Sequence, residues 1–323
     1  MANQNINSLN YGTNRFAKYA WFVLIFNMLV VLWGAVVRAT GSGAGCGSHW
    51  PTCNGEIIPI ASQVETLIEF THRLSSGIAF LLVLGMLIWA LKITPKNHLV
   101  RKASAAAMIF IISESLVGAG LVLFDWVADN ISTARVIVMG IHLINTHLLL
   151  ASIALTAWWA SAGTPLLLNK QSNKIKWQFA IGIIGVLILS VAGAVTALGD
   201  TLFPTDTLLE GIQQDLSSAS HFIVRLRIWH PVIATVVGLY LIQFAFSLGS
   251  DGHSLWNKRF AYALGVLFLV QLAAGMVNLI LLAPVWMQIV HLLLADLVWL
   301  SLILLAAETL SLKTYAENKR VGI

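Results

Sequence analysis

His72, His142, His230 and His291 are the residues of this sequence whose type and placement most clearly carry chemistry. Each lies near one end of a long apolar run, with about 17–20 residues, or roughly 25–30 Å of helix, leading to the opposite boundary. All four therefore share one depth. Imidazole inside a membrane is uncommon and needs a reason. Facing pairs on neighbouring helices would supply the two axial nitrogens of a six-coordinate haem. The other reading is four separate interhelical or interfacial hydrogen-bonding side chains. Zinc fits less well, because no three or four ligands converge from nearby positions. Of the remaining histidines, His147 is expected to line or pack the bundle and His221 to be a polar helix-end residue. His49 sits beside the cysteines, and His98 and His253 fall in polar loops.

Charged residues cluster around these histidines. Arg38, Arg73, Arg135, Arg225 and Arg227 stand at or near the same helix ends, and no lysine does. A guanidinium fork suits paired carboxylates, so haem propionates are candidate partners; snorkelling to lipid headgroups is the alternative. Glu69 precedes His72 by three residues and shares its helix face. The corresponding step back from His230 gives Arg227. Glu69 is a candidate catalytic group, taking protons or stabilising positive charge on a substrate. Alternatively it pairs with Arg73 one turn on. Glu114 and Asp296 also fall inside apolar runs, where each needs a hydrogen-bonding partner or a wet cavity.

The elements that must position these groups follow from composition. The chain has 323 residues, 58% hydrophobic and 10% charged, against about 25% charged in a soluble domain. A water-soluble globule and a disordered chain are both excluded. The sequence predicts an all-α polytopic membrane protein with eight spans, at 18–38, 66–92, 102–124, 136–161, 177–198, 219–248, 259–282 and 285–309. Arg15, Lys18, Lys92, Lys96, Arg101, Lys102, Lys170, Lys174, Lys176, Lys258, Arg259, Lys313, Lys319 and Arg320 share the face of the termini. That face is predicted to be cytoplasmic in a bacterial inner membrane. The net charge of +5 is then topological, and nucleic-acid binding drops out. Trp158, Trp159 and Trp177 are placed as interfacial belts.

The two halves echo one another. Gly34-Ala35-Val36 matches Gly193-Ala194-Val195, Glu114 and Gly118 match Gln271 and Gly275, and the four histidines correspond in two pairs. This predicts two pseudo-symmetric four-helix bundles, at 1–165 and 166–323, related by an axis along the membrane normal. The loops at 39–65, 125–135 and 199–218 are the elaborate ones. Cys46 and Cys53, the only cysteines, lie in the first of them. In an oxidising compartment a disulfide is the default, either a structural staple or a redox-active pair.

Over essentially its whole length the chain resembles the haem A synthase family. The resemblance rests on Cys46…Cys53, Glu-Phe-Thr-His-Arg at 69–73, His-Leu-Ile-Asn-Thr at 142–146, Arg-Ile-Trp-His-Pro at 227–231 and His-Leu-Leu-Leu-Ala-Asp at 291–296. It implies oxidation of the C8 methyl of haem O to a formyl group by successive hydroxylation and loss of water, giving haem A for cytochrome oxidase. It further implies haem b between His230 and His291, and the substrate haem between His72 and His142. Glu69 then matches the family's acidic residue beside the substrate. Haem O synthase, an unidentified electron acceptor, membrane lipid and a second copy of the chain are the partners considered. Some bacterial members carry a second cysteine pair in the third outer loop; 199–218 has none. The rival readings are a di-haem b-type cytochrome for electron transfer and, behind it, a transporter.

Overall fold

The computed structural model describes residues 3–60, 63–161, 171–250 and 254–311. Lys170, His253, Lys313, Lys319, Arg320 and the expected division at 165 lie outside the described residues. Ten α-helices follow in order: α1 (Asn3–Ala39), α2 (Val64–Ile93), α3 (Leu99–Leu123), α4 (Thr133–Ser161) and α5 (Asn173–Leu202), then α6 (Leu208–Leu216), α7 (Phe222–Leu226), α8 (Trp229–Ser250), α9 (Leu255–Ile280) and α10 (Val285–Thr309). Among the described residues there is no strand; an isolated bridge joins Cys53 and Glu56. Among the described residues, eight helical segments are long and apolar enough to cross a membrane. This is a multi-pass membrane protein.

Most spans fall within a few residues of expectation, and side-chain caps explain several starts. Ser172 Oγ accepts from the Ile175 N–H and Ser254 Oγ from the Asn257 N–H, each satisfying a donor with no intrahelical partner. His98, expected to be only solvated, caps α3 by accepting from the Val100 N–H.

Two expectations need correction. The sixth span is not one helix: α7 ends at Leu226 and α8 starts at Trp229, just before His230. Pro231 explains the break, because its ring crowds the carbonyl four residues back and it has no N–H to donate. The 199–218 loop is also largely helical, since α5 runs to Leu202 and α6 occupies most of the rest. Thr207-Leu-Leu-Glu210 is the responsible signal. Thr207 accepts from the Glu210 N–H, and Glu210 reaches back to the Asp206 N–H, a variant of the capping box.

Helices α4 and α10 form the centre. Half of each apolar window is buried, against at most a third in any other span. One continuous core runs from Phe16 and Ala20 in α1 through Leu150 and Ala154 in α4 to Leu302 and Leu305 in α10. Trp158 belongs to it rather than to an interfacial belt: it is buried edge-on against Trp256 and Phe260. Trp177 is exposed, as a belt residue should be. The indole N–H of Trp299 on α10 donates to the His147 carbonyl on α4 at 2.8 Å.

Arg38, near the end of α1, is a second tie between distant parts of the chain. It donates to the Ala197 carbonyl and Thr201 Oγ1 of α5 and to Gln288 Oε1 of α10. Arg38→Ala should strip three acceptors at once and lower stability by about 1–3 kcal/mol, read as a lower melting temperature in detergent. Arg259→Ala is the comparison. Arg259 is exposed and stands 5.0 Å from the Trp256 ring, so its loss should cost no more than about 1 kcal/mol.

Candidate functional site

All four helix-end histidines line one cavity of about 2050 Å³. A single-ligand site is usually about 300–1,000 Å³, so this chamber has room for more than one large group. Its walls are largely apolar and draw on α1 to α6 as well as α8 to α10.

His230 on α8 and His291 on α10 face each other, with ring centroids 6.2 Å apart and planes at 82°. An iron bound about 2.0 Å from a nitrogen of each ring, on opposite sides, would put the ring centres about 6 Å apart. The spacing is therefore that of an axial pair, and haem fits these residues. Gln271 Nε2 lies 3.2 Å from His291 Nε2. His72 on α2 and His142 on α4 line the same chamber, near enough to interact electrostatically. Glu114, the repeat partner of Gln271, has Oε2 3.5 Å from His142 Nδ1. Its carboxylate also accepts from Thr146 Oγ1 and Asn145 Nδ2, so it has the partners an intramembrane acid requires.

Glu69 is 2% exposed and lines the cavity wall. Arg73 donates to its Oε1 through Nε and Nη2, and the Cys46 N–H donates to Oε2 at 2.8 Å. Arg73 Nη1 then reaches the carbonyls of His49 and Thr52. Of the two readings of Glu69, the ion pair with Arg73 is thus formed, and it docks the first loop onto α2. Cys46 and Cys53 are disulfide-bonded within that loop. Gly45 packs so tightly on the α2 backbone that a Cβ there would meet the Glu65 carbonyl at 2.5 Å. His49 contributes its backbone carbonyl to Arg73.

The arginines divide. Arg38, Arg73, Arg135 and Arg227 line the cavity, but most of their donors are taken by protein. Arg135 binds the carbonyls of Ala128 and Asn130. Arg227 binds Asp215, Asp200 and the Phe203 carbonyl. Burial pushes the Asp215 carboxyl above the usual aspartate range, against the opposing pull of Arg227. Arg135 Nε and Arg227 Nη2 are left buried without a partner among the described residues. Arg225 is exposed and does not line the chamber.

His147 is 1% exposed, with Nδ1 2.9 Å from the Leu143 carbonyl and Nε2 3.2 Å from Ser190 Oγ, a bundle-lining residue as expected. His221 caps α7, accepting from the Ile223 N–H. Asp296 departs from expectation: it is fully buried, does not line the cavity, and neither oxygen has a partner among the described residues. Asp200 and Asp215 were not singled out from sequence. Nothing local marks them, because Arg227 gathers them only through the fold.

The profile of a family described as cytochrome oxidase assembly protein (COX15-CtaA) matches residues 17–303. A Thermus thermophilus protein named protoheme IX farnesyltransferase is 54% identical over 92% of this chain and 49% of its own length. A second strain's version is 53% identical over the same shares, so the chain spans about half the length of these relatives. A heme A synthase of Lysinibacillus sphaericus is 27% identical over 88% of this chain and 92% of its own length. One of Alkalihalophilus pseudofirmus is 42% identical over 34% and 37% respectively.

Removing one member of the Glu69–Arg73 pair should cost more than removing both charges. Arg73→Met leaves a buried carboxylate unpaired and is expected to destabilise by about 3–5 kcal/mol. Adding Glu69→Gln should recover part of that loss. Thermal melts, with protease cutting within the 46–60 loop as a local probe, measure both effects.

Proposed function

The chain belongs to the cytochrome oxidase assembly protein family, and on that premise we propose that it is a haem A synthase. It is an oxidoreductase that converts the C8 methyl of haem O into the formyl group of haem A. The observation that carries the reading is the His230–His291 pair, set 6.2 Å apart in a chamber that also contains His72 and His142. The heme A synthase relatives point the same way.

In this proposal His230 and His291 hold a resident haem b, and His72 and His142 take the substrate haem O. A haem bound between His230 and His291 supplies one-electron transfer. The rest falls to the chain's own residues. The apolar walls exclude bulk water from the substrate. Arg38, Arg135 and Arg227, whose side chains line the cavity, are the candidate partners of anionic propionates. Glu69 is the candidate catalytic residue. Arg73 and the Cys46 amide already occupy both its oxygens, which favours a fixed negative charge over a mobile proton carrier. A fixed carboxylate at the cavity wall stabilises positive charge as the methyl is oxidised. Two hydroxylations that take oxygen from water, each releasing two electrons and two protons, give a geminal diol that loses one water to leave the aldehyde, and the four electrons pass to an acceptor.

The four-helix halves each supply one imidazole pair. The termini face the cytoplasm of a bacterial cell whose inner membrane holds the protein, in keeping with the Lys and Arg bias. The Cys46–Cys53 disulfide suits the oxidising side. Haem O synthase is the proposed partner, supported by relatives named as protohaem farnesyltransferases that contain a matching stretch.

The rival reading is a di-haem b-type cytochrome, and haem extraction separates the two. Glu69→Ala should retain haem b yet lower haem A formation by about 100-fold or more. His230→Ala and His291→Ala should each lose the resident haem. Normal haem A output from Glu69→Ala would refute its catalytic role. Two permanent haem b groups with no conversion of haem O would replace the synthase with the cytochrome.

A further inference from the structure

An axial imidazole is ordinarily oriented by a hydrogen bond from its second ring nitrogen to a carbonyl, carboxylate or water. Nδ1 of His72, His142, His230 and His291 is buried with no hydrogen-bond partner among the described residues. Their rings are held by something else, and glycines of the neighbouring helices stand where it should be. A Cβ on Gly34 would lie 3.0 Å from His72 Cε1, one on Gly193 3.0 Å from His230 Cε1, and one on Gly275 3.0 Å from His291 Cε1. Each ring therefore occupies space that any other residue would contest. The fourth contact differs. A Cβ on Gly118 would sit at an ordinary 3.8 Å from His142 Cε1. His142 is also the ring with a carboxylate 3.5 Å from Nδ1 and a side chain 31% exposed.

We infer that Gly34, Gly193 and Gly275 are positioning residues, whose missing Cβ leaves the close-fitting space that sets the planes of His72, His230 and His291, whereas His142 has room to spare beside Gly118. The inference rests on the haem reading above and deepens it. One half clamps both imidazoles, crossed at 82°, as a resident group requires. The other clamps one and leaves its partner room to yield, as a group that must enter and leave requires. Alanine at a clamping glycine pushes the ring aside, and packing density leaves little space for the backbone to retreat.

The test uses full-length protein loaded with ferric haem b. The low-field electron paramagnetic resonance line of a low-spin ferric haem reports the relative orientation of its axial planes. Gly193→Ala and Gly275→Ala should each move that line and weaken haem retention about 10-fold, while Gly118→Ala leaves it in place. An unmoved line with wild-type haem content in both clamp variants overturns the inference. If a clamp variant does not accumulate, Gly193→Ala is made in a His230→Gly background supplied with imidazole. There the untethered ring can shift, and accumulation is expected to return; continued failure assigns Gly193 to helix packing and also overturns the inference. Wild-type protein that binds no low-spin haem would instead remove the haem reading itself.

Discussion

The structure depends on holding polar rings inside an apolar bundle without the hydrogen bonds that such rings normally demand. A buried nitrogen left unsatisfied costs free energy, and the described residues leave Nδ1 of His72 and of His291 in that state. Sequence places these imidazoles at one depth, and the fold turns them into a single chamber. The proposed haem sites would give the rings' other nitrogens a use.

The charged surroundings obey the opposite rule. Arg73, Arg135 and Arg227 are deeply engaged with carbonyls and carboxylates, as a guanidinium in a low-dielectric setting must be. Their first task is architectural: Arg73 docks the disulfide loop, and Arg227 gathers Asp200 and Asp215 beside α7. The excess of arginine over lysine near the histidines thus reflects forked geometry serving several acceptors at once.

Much of this was legible in the sequence, for physical reasons that can be named. Hydropathy locates spans because the bilayer fixes their length, and the shared depth of the histidines follows directly. The Glu69–Arg73 contact is an i, i+4 pair on one helix, and it was one of the two readings open beforehand. Other features had signals that hydropathy overrode: Pro231 breaks an apolar run that otherwise continues, and Thr207 with Glu210 starts a helix inside a loop-like composition. Arg38 reaching Gln288 across the fold left no local trace. Neither did the angle between the His230 and His291 rings, which depends on glycines from two other helices.

The common chamber has one more consequence. Because both imidazole pairs line one cavity, the water it admits bears on both. The polarity of the medium is thereby a shared variable. Whatever dries or wets one end of the compartment retunes the electrostatics at its far end.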